Sequence, residues 1–205
     1  MRRYPLPTLL ALGISIISNS SFYIVAYIPT YGVKTLHLPP YVGFVATLVG
    51  GIILAIGSPF AGHWSDKTAR PLIMVITCWG FVLTSYLAFY LMDAWPSLAG
   101  CIIAVSWLQL MKAGYSGVLP SLLSEQFPVE VRAIGVSLSF STAVSIFGGL
   151  APLVATSLIA MTGDPLAPSY YLIGTALLSL FALMAIQARA RRPQTLAQAS
   201  VSTAA

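Results

Sequence analysis

Residues 98–123, LAGCIIAVSWLQLMKAGYSGVLPSLL, decide how this chain folds. The run is almost wholly apolar. As an α-helix rising about 1.5 Å per residue it is long enough to cross a hydrocarbon layer of about 30 Å. Yet it places Lys112 near the midplane. A lysine at the centre of a membrane helix costs about 2.5–3.5 kcal/mol, and each Leu, Ile or Val returns only about 0.3–0.6 kcal/mol. The segment inserts with little to spare, so the lysine needs a use.

Five more runs have the same length and character: 7–30, 40–61, 72–91, 133–161 and 170–188. Of the 205 residues, 58% are hydrophobic and 7% charged, and the mean hydropathy is +0.87. A soluble domain carries about 25% charged residues, so this chain could not cover its surface in water. The runs show no sustained period-two alternation, which argues against a barrel. The expectation is an all-α membrane protein with six transmembrane helices. The first run is of spanning length and does not read as a cleavable signal peptide. Cys78 and Cys101 lie in apolar runs away from any metal spacing, and no ligand cluster or phosphate-cradling loop is evident. No metal or organic cofactor is expected.

Charge sets the orientation. With six spans both termini share a side, and that side collects Arg2, Arg3, Lys67, Arg70, Arg132, Arg189, Arg191 and Arg192, against Lys34 alone on the other. The positive-inside bias places both termini in the cytoplasm. It also accounts for the net charge of +5, leaving nothing to suggest nucleic-acid binding. The chain divides into a cytoplasmic segment 1–6, three-helix units 7–91 and 92–188, and a small, polar tail 189–205 expected to be disordered and cytoplasmic.

Two cytoplasmic stretches carry motifs. GHWSDKTARP, read as a short loop between the second and third helices, supplies Gly62 as a turn glycine and groups Asp66 with Lys67 and Arg70. These residues resemble the signature G-x-x-x-D-R/K-x-G-R/K-R/K of the major facilitator superfamily, although Ala69 and Pro71 depart from it. Glu125, Pro128, Arg132 and Gly135 resemble the companion motif E-x-x-P-x-x-x-R-x-x-G. With the later turn TGDPLAPSYY they are similar to the metabolite:proton symporter branch, and most to its citrate and tricarballylate or α-ketoglutarate carriers. The resemblance implies the C-terminal six helices of a twelve-helix carrier, one half built as a 3+3 inverted repeat. It further implies residence in a bacterial inner membrane, proton-coupled symport of small organic acids, and a partner in the form of the missing N-terminal half or a second copy. The motif residues would latch one conformation of a rocking transporter. The alternative is a non-transporting six-helix scaffold or regulatory half-carrier.

In such a fold the first and fourth helices line the cavity. Ser15, Asn19, Tyr23 and Tyr27 recur every four residues on the first, and Gln109, Lys112 and Ser116, with Tyr115 adjacent, on the fourth. Polar groups are costly against lipid, so both faces should point into the bundle. The substrate-binding candidates are Lys112, Gln109, Ser116, Tyr115, Asn19 and Tyr23. Lys112 either meets a substrate carboxylate or snorkels its ammonium toward the cytoplasmic interface. The run GYSG at 114–117 is reminiscent of intramembrane serine proteases, but no transmembrane histidine exists to activate Ser116, and an enzyme is not expected. All five acids, Asp66, Asp93, Glu125, Glu130 and Asp164, fall in loops on this reading, so any proton-coupling residue lies in the other half or in the substrate.

Overall fold

The computed structural model describes the backbone over residues 5–67 and 70–202, and side chains over 5–65 and 71–189. The helices are α1 (Pro5–Lys34), α2 (Pro40–Lys67), α3 (Arg70–Ala94), α4 (Leu98–Glu125), α5 (Arg132–Ala143), α6 (Ala151–Thr162) and α7 (Ala167–Ser202). Among the described residues there is no strand. Six segments are long and apolar enough to cross a membrane, with α5 and α6 together forming the fifth. This is the architecture expected of half a major facilitator fold.

The connections are short, and their breakers act locally. His37 takes a left-handed φ of 53° in the α1–α2 turn, and Pro40 opens α2, where its missing N–H costs nothing. Ser97 caps α4 by accepting from Gly100 N at 3.1 Å. Gly163, with φ 69°, closes α6 by donating its N–H to Ile159 O, and Asp164 Oδ1 then accepts from Leu166 N.

Packing interleaves the two three-helix units. Helix α1 lies against α5, α6 and α7, while α4 lies against α2 and α3. Each unit's first helix thus packs chiefly on the second and third helices of the other. Helix α1 is the most enclosed span, and α2 and the fifth span are the most open. The α2–α4 crossing is the tightest. A Cβ built on Gly117 would stand 2.3 Å from Ser58 O and 2.8 Å from Gly62 N, so the two backbones touch. Small residues let membrane helices approach this closely, which gives the GYSG run a packing role.

Two sequence expectations change. Gly62 is not a turn glycine, because α2 continues through Lys67 and GHWSDK is its last stretch of helix. That stretch contains no proline, and its glycine is used for contact with Gly117. The fifth span is not one helix. A π-helical turn, Val144–Gly148, separates α5 from α6 and lets the Phe147 carbonyl accept from the hydroxyls of Tyr171 and Ser20. At the far end the helical backbone of α7 runs on to Ser202. The side chains of Asp66, Lys67 and Arg70, and of 190–205, lie outside the described residues.

Candidate functional site

The polar centre lies where α4 meets α1. Lys112 is 5% exposed, and its Nζ donates to Ser18 O at 3.1 Å. The ammonium also stands 4.3 Å from the centroid of the Phe22 ring, a cation–π distance. It therefore points across the bundle at α1 rather than along α4 toward an interface, which is not a snorkelling posture.

Around it is a cavity of about 550 Å³ lined by Ser18, Asn19, Phe22, Tyr23, Lys112 and Ser116, and by less polar side chains from the last turns of α4, from α5 and from Val144. The Ser18 and Ser116 hydroxyls face each other at 3.4 Å. Asn19 Nδ2 donates to Ser15 O at 2.8 Å, leaving its amide oxygen for another donor. The Tyr23 ring packs edge-on to Phe22, with centroids 5.6 Å apart, and against Gly148 of the π-turn. Among the described residues no carboxylate lines this cavity or pairs with Lys112.

Four of the six substrate-binding candidates, Lys112, Ser116, Asn19 and Tyr23, therefore come together. Two do not. Tyr115 is fully buried on another face of α4, where its hydroxyl donates to Ile14 O at 2.6 Å. Gln109 turns toward α2, its Cγ against Gly50, with Oε1 buried and unpartnered among the described residues. Ser15 and Tyr27 also leave the group: Ser15 bonds Ala11 O, and the Tyr27 hydroxyl accepts from Thr156.

Sequence reasoning missed Ser18 and Phe22. A four-residue stripe drifts around a helix of 3.6 residues per turn, so Ser15 and Tyr27 end about 120° apart. Spacing by three as well as four from position 15 would have picked out 18 and 22 beside 19 and 23.

The second motif sits at the α4–α5 turn. Glu125 ends α4, Pro128 opens the turn to α5, and Arg132 Nε donates to Phe127 O at 3.4 Å. Gly135 receives the Phe127 ring, which a Cβ would meet at 2.5 Å. The stretch thereby fixes how the fourth span turns into the fifth.

No family model matches the chain, and no solved structure matches it. Curated relatives do. It is 30% identical over 88% of its length to a citrate-proton symporter of Salmonella typhi, and 31% over 80% to one of Klebsiella pneumoniae. It is 24% identical over 94% of its length to an ectoine/proline transporter of Corynebacterium glutamicum. The matches cover 42%, 37% and 38% of those proteins, so the chain spans about two fifths of the relatives it resembles. These relatives are transporters rather than enzymes. The six spans, the two motifs and this kinship agree: over most of its length the chain is homologous to carriers of the metabolite:proton symporter branch of the major facilitator superfamily.

Proposed function

We propose that this chain is the C-terminal six-helix half of a proton-coupled secondary carrier of small organic acids, di- or tricarboxylates, and is not itself an enzyme. It sits in the bacterial inner membrane with both termini cytoplasmic, and it works with six further helices or a second copy that closes the opposite wall of the cavity. The observation that carries the reading is the Lys112 ammonium, buried at mid-membrane on a cavity wall without a carboxylate of its own among the described residues. A carboxylate brought by the substrate would meet that charge, and Ser18, Ser116 and Asn19 offer polar groups for its remaining oxygens and hydroxyls. The citrate-proton symporters among the relatives favour this class. With no acid on the described cavity wall, the proton travels on the substrate or on the other half.

The test is uptake into proteoliposomes under an inward proton gradient. The 205-residue chain alone is expected to leave citrate outside, whereas a carrier completed by six N-terminal helices is expected to accumulate it until a protonophore is added. Accumulation by the chain alone would overturn the half-carrier reading. A completed carrier indifferent to mono-, di- and tricarboxylates alike would overturn the substrate reading.

Orientation has its own check. Single cysteines at 93 or 164 in a background without Cys78 and Cys101 should react with a membrane-impermeant thiol reagent on intact cells. Cysteines at 67 or 192 should react only after permeabilisation. The reverse pattern would refute the argument from charge bias.

A further inference from the structure

The back of α4, away from Lys112, carries a second concavity. Helices α2 and α3 both pack along α4 but barely touch each other, so a slot runs between them with α4 as its floor. The half nearer the α2–α3 turn is a cavity of about 550 Å³. Ala113 and Gly114 floor it, and its walls are Phe60 and Trp64 on α2 and Leu72 and Ile76 on α3. At Leu110 it meets a second cavity of about 750 Å³ that continues toward the other face of the membrane. We propose that this slot is a lipid site: it takes an acyl chain of an anionic phospholipid from the cytoplasmic leaflet, with the phosphate at the α2–α3 turn beside Lys67 and Arg70. The leaflet rests on the orientation proposed above, and nothing in the site rests on the substrate reading.

Position excludes the remaining helices of a carrier. Leu110 precedes Lys112 by two residues, which sets it about 160° round α4 at 3.6 residues per turn. Helices that close the Lys112 cavity approach from the lysine's side, and the slot behind is left to the bilayer. Shape and chemistry then select a hydrocarbon chain. Small side chains below and large ones on both sides enclose a narrow guest, which gains dispersion contacts that a flat helix face would not give. Thr77, the hydroxyl residue of this half, already donates to Ile73 O at 2.9 Å. From Trp64 to Ile53 the α2 wall rises about 16 Å at about 1.5 Å per residue, one leaflet's share of a core of about 30 Å. The mouth supplies the counter-charge. Helix α2 ends at Lys67 and α3 begins at Arg70, and with Asp66 the turn carries one net positive charge where lipid phosphates lie. The exposed Trp64 stands a turn inside, the level at which tryptophan favours the membrane–water boundary.

Two single-tryptophan forms of the 205-residue chain, held in lipid nanodiscs, test the site. One keeps Trp64 and carries Trp79→Phe, Trp95→Phe and Trp107→Phe. The other keeps Trp79, which is exposed on α3 outside the slot, and carries Trp64→Phe, Trp95→Phe and Trp107→Phe. Dibromo-phosphatidylglycerol or dibromo-phosphatidylcholine, diluted into unlabelled phosphatidylcholine, quenches a tryptophan that it touches. Trp64 should favour the glycerol lipid over the choline lipid by about fivefold, the discrimination of one net charge near a membrane surface. Trp79 should show no preference. Lys67→Gln with Arg70→Gln should abolish the preference at Trp64. Ile76→Phe, which adds a ring to the wall across from Phe60, should weaken quenching of Trp64 by both lipids severalfold. Quenching of Trp79 reports whether each variant is inserted. Trp64 indifferent to headgroup, a preference shared equally by Trp79, or Trp64 quenching unchanged in Ile76→Phe would each overturn the proposal. Nanodiscs offer both leaflets, so a reversed orientation seen by thiol labelling would correct the leaflet and leave these outcomes as stated.

Discussion

Lys112→Ala in a completed carrier is expected to weaken binding of citrate about a hundredfold or more, and Lys112→Arg to restore only part of it. Removing one partner of a buried, hydrogen-bonded charge pair costs about 3–5 kcal/mol, and each 1.4 kcal/mol is tenfold in affinity. The lysine is 5% exposed, so solvent does little to screen the carboxylate that meets it. Arginine keeps the charge but not the shape. Its larger planar fork spreads the charge and does not reproduce the compact ammonium held over the Phe22 face and 3.1 Å from Ser18 O. The measurement is affinity for mono-, di- and tricarboxylates in both variants. Wild-type affinity for all three in Lys112→Ala would leave the residue with a structural role only.

The second large effect concerns folding. Gly117→Leu is expected to destabilise the bundle by about 3 kcal/mol or more, at the upper end of what overpacking costs. The first side-chain carbon would land 2.3 Å from Ser58 O and 2.8 Å from Gly62 N, and both are backbone atoms that cannot swing aside. Helices α2 and α4 would have to part along their whole crossing. Gly174 on α7 has open space around it, so Gly174→Ala makes the matched control and should be neutral or slightly stabilising. Thermal unfolding of the two variants in detergent, followed by accessibility of the buried Cys78 and Cys101 to a thiol probe, checks the contrast. Equal midpoints would show that the α2–α4 contact is not close in the membrane.

Much of this was legible because the bilayer is a severe solvent. Six apolar runs had to become six spans, since every backbone polar group in hydrocarbon needs an internal partner. Lys112 could be singled out for the same reason: its cost is large against the few tenths of a kcal/mol that each apolar neighbour returns. What stayed hidden depends on rotation about a helix axis. Gln109, Lys112 and Tyr115 are close in sequence, yet they face α2, the cavity and Ile14 respectively, and only neighbouring helices decide which. The π-turn at Val144–Gly148 was equally invisible, because one extra residue in a rung changes no hydropathy. Gly62 was misread because a glycine that permits a turn and one that permits a close crossing look alike until the partner is known.

Helix α1 has a consequence for how the chain is made. Ser179 on α7 donates to Gly13 O and accepts from Ile17 N, so it stands at both ends of one helical rung. Tyr115 and Lys112 on α4 take Ile14 O and Ser18 O. These ties reach 166, 101 and 94 residues along the chain. At about 5–20 residues per second, a ribosome delivers α4 and then α7 on the order of ten seconds after α1. During that interval the serines and Asn19 of α1 face either lipid or the insertion machinery with none of these bonds available. Helix α1, made before α4 and α7, is therefore among the last spans to settle. A chain stalled before α7 would hold the buried serines of α1 in the least forgiving solvent, where membrane quality control would find them.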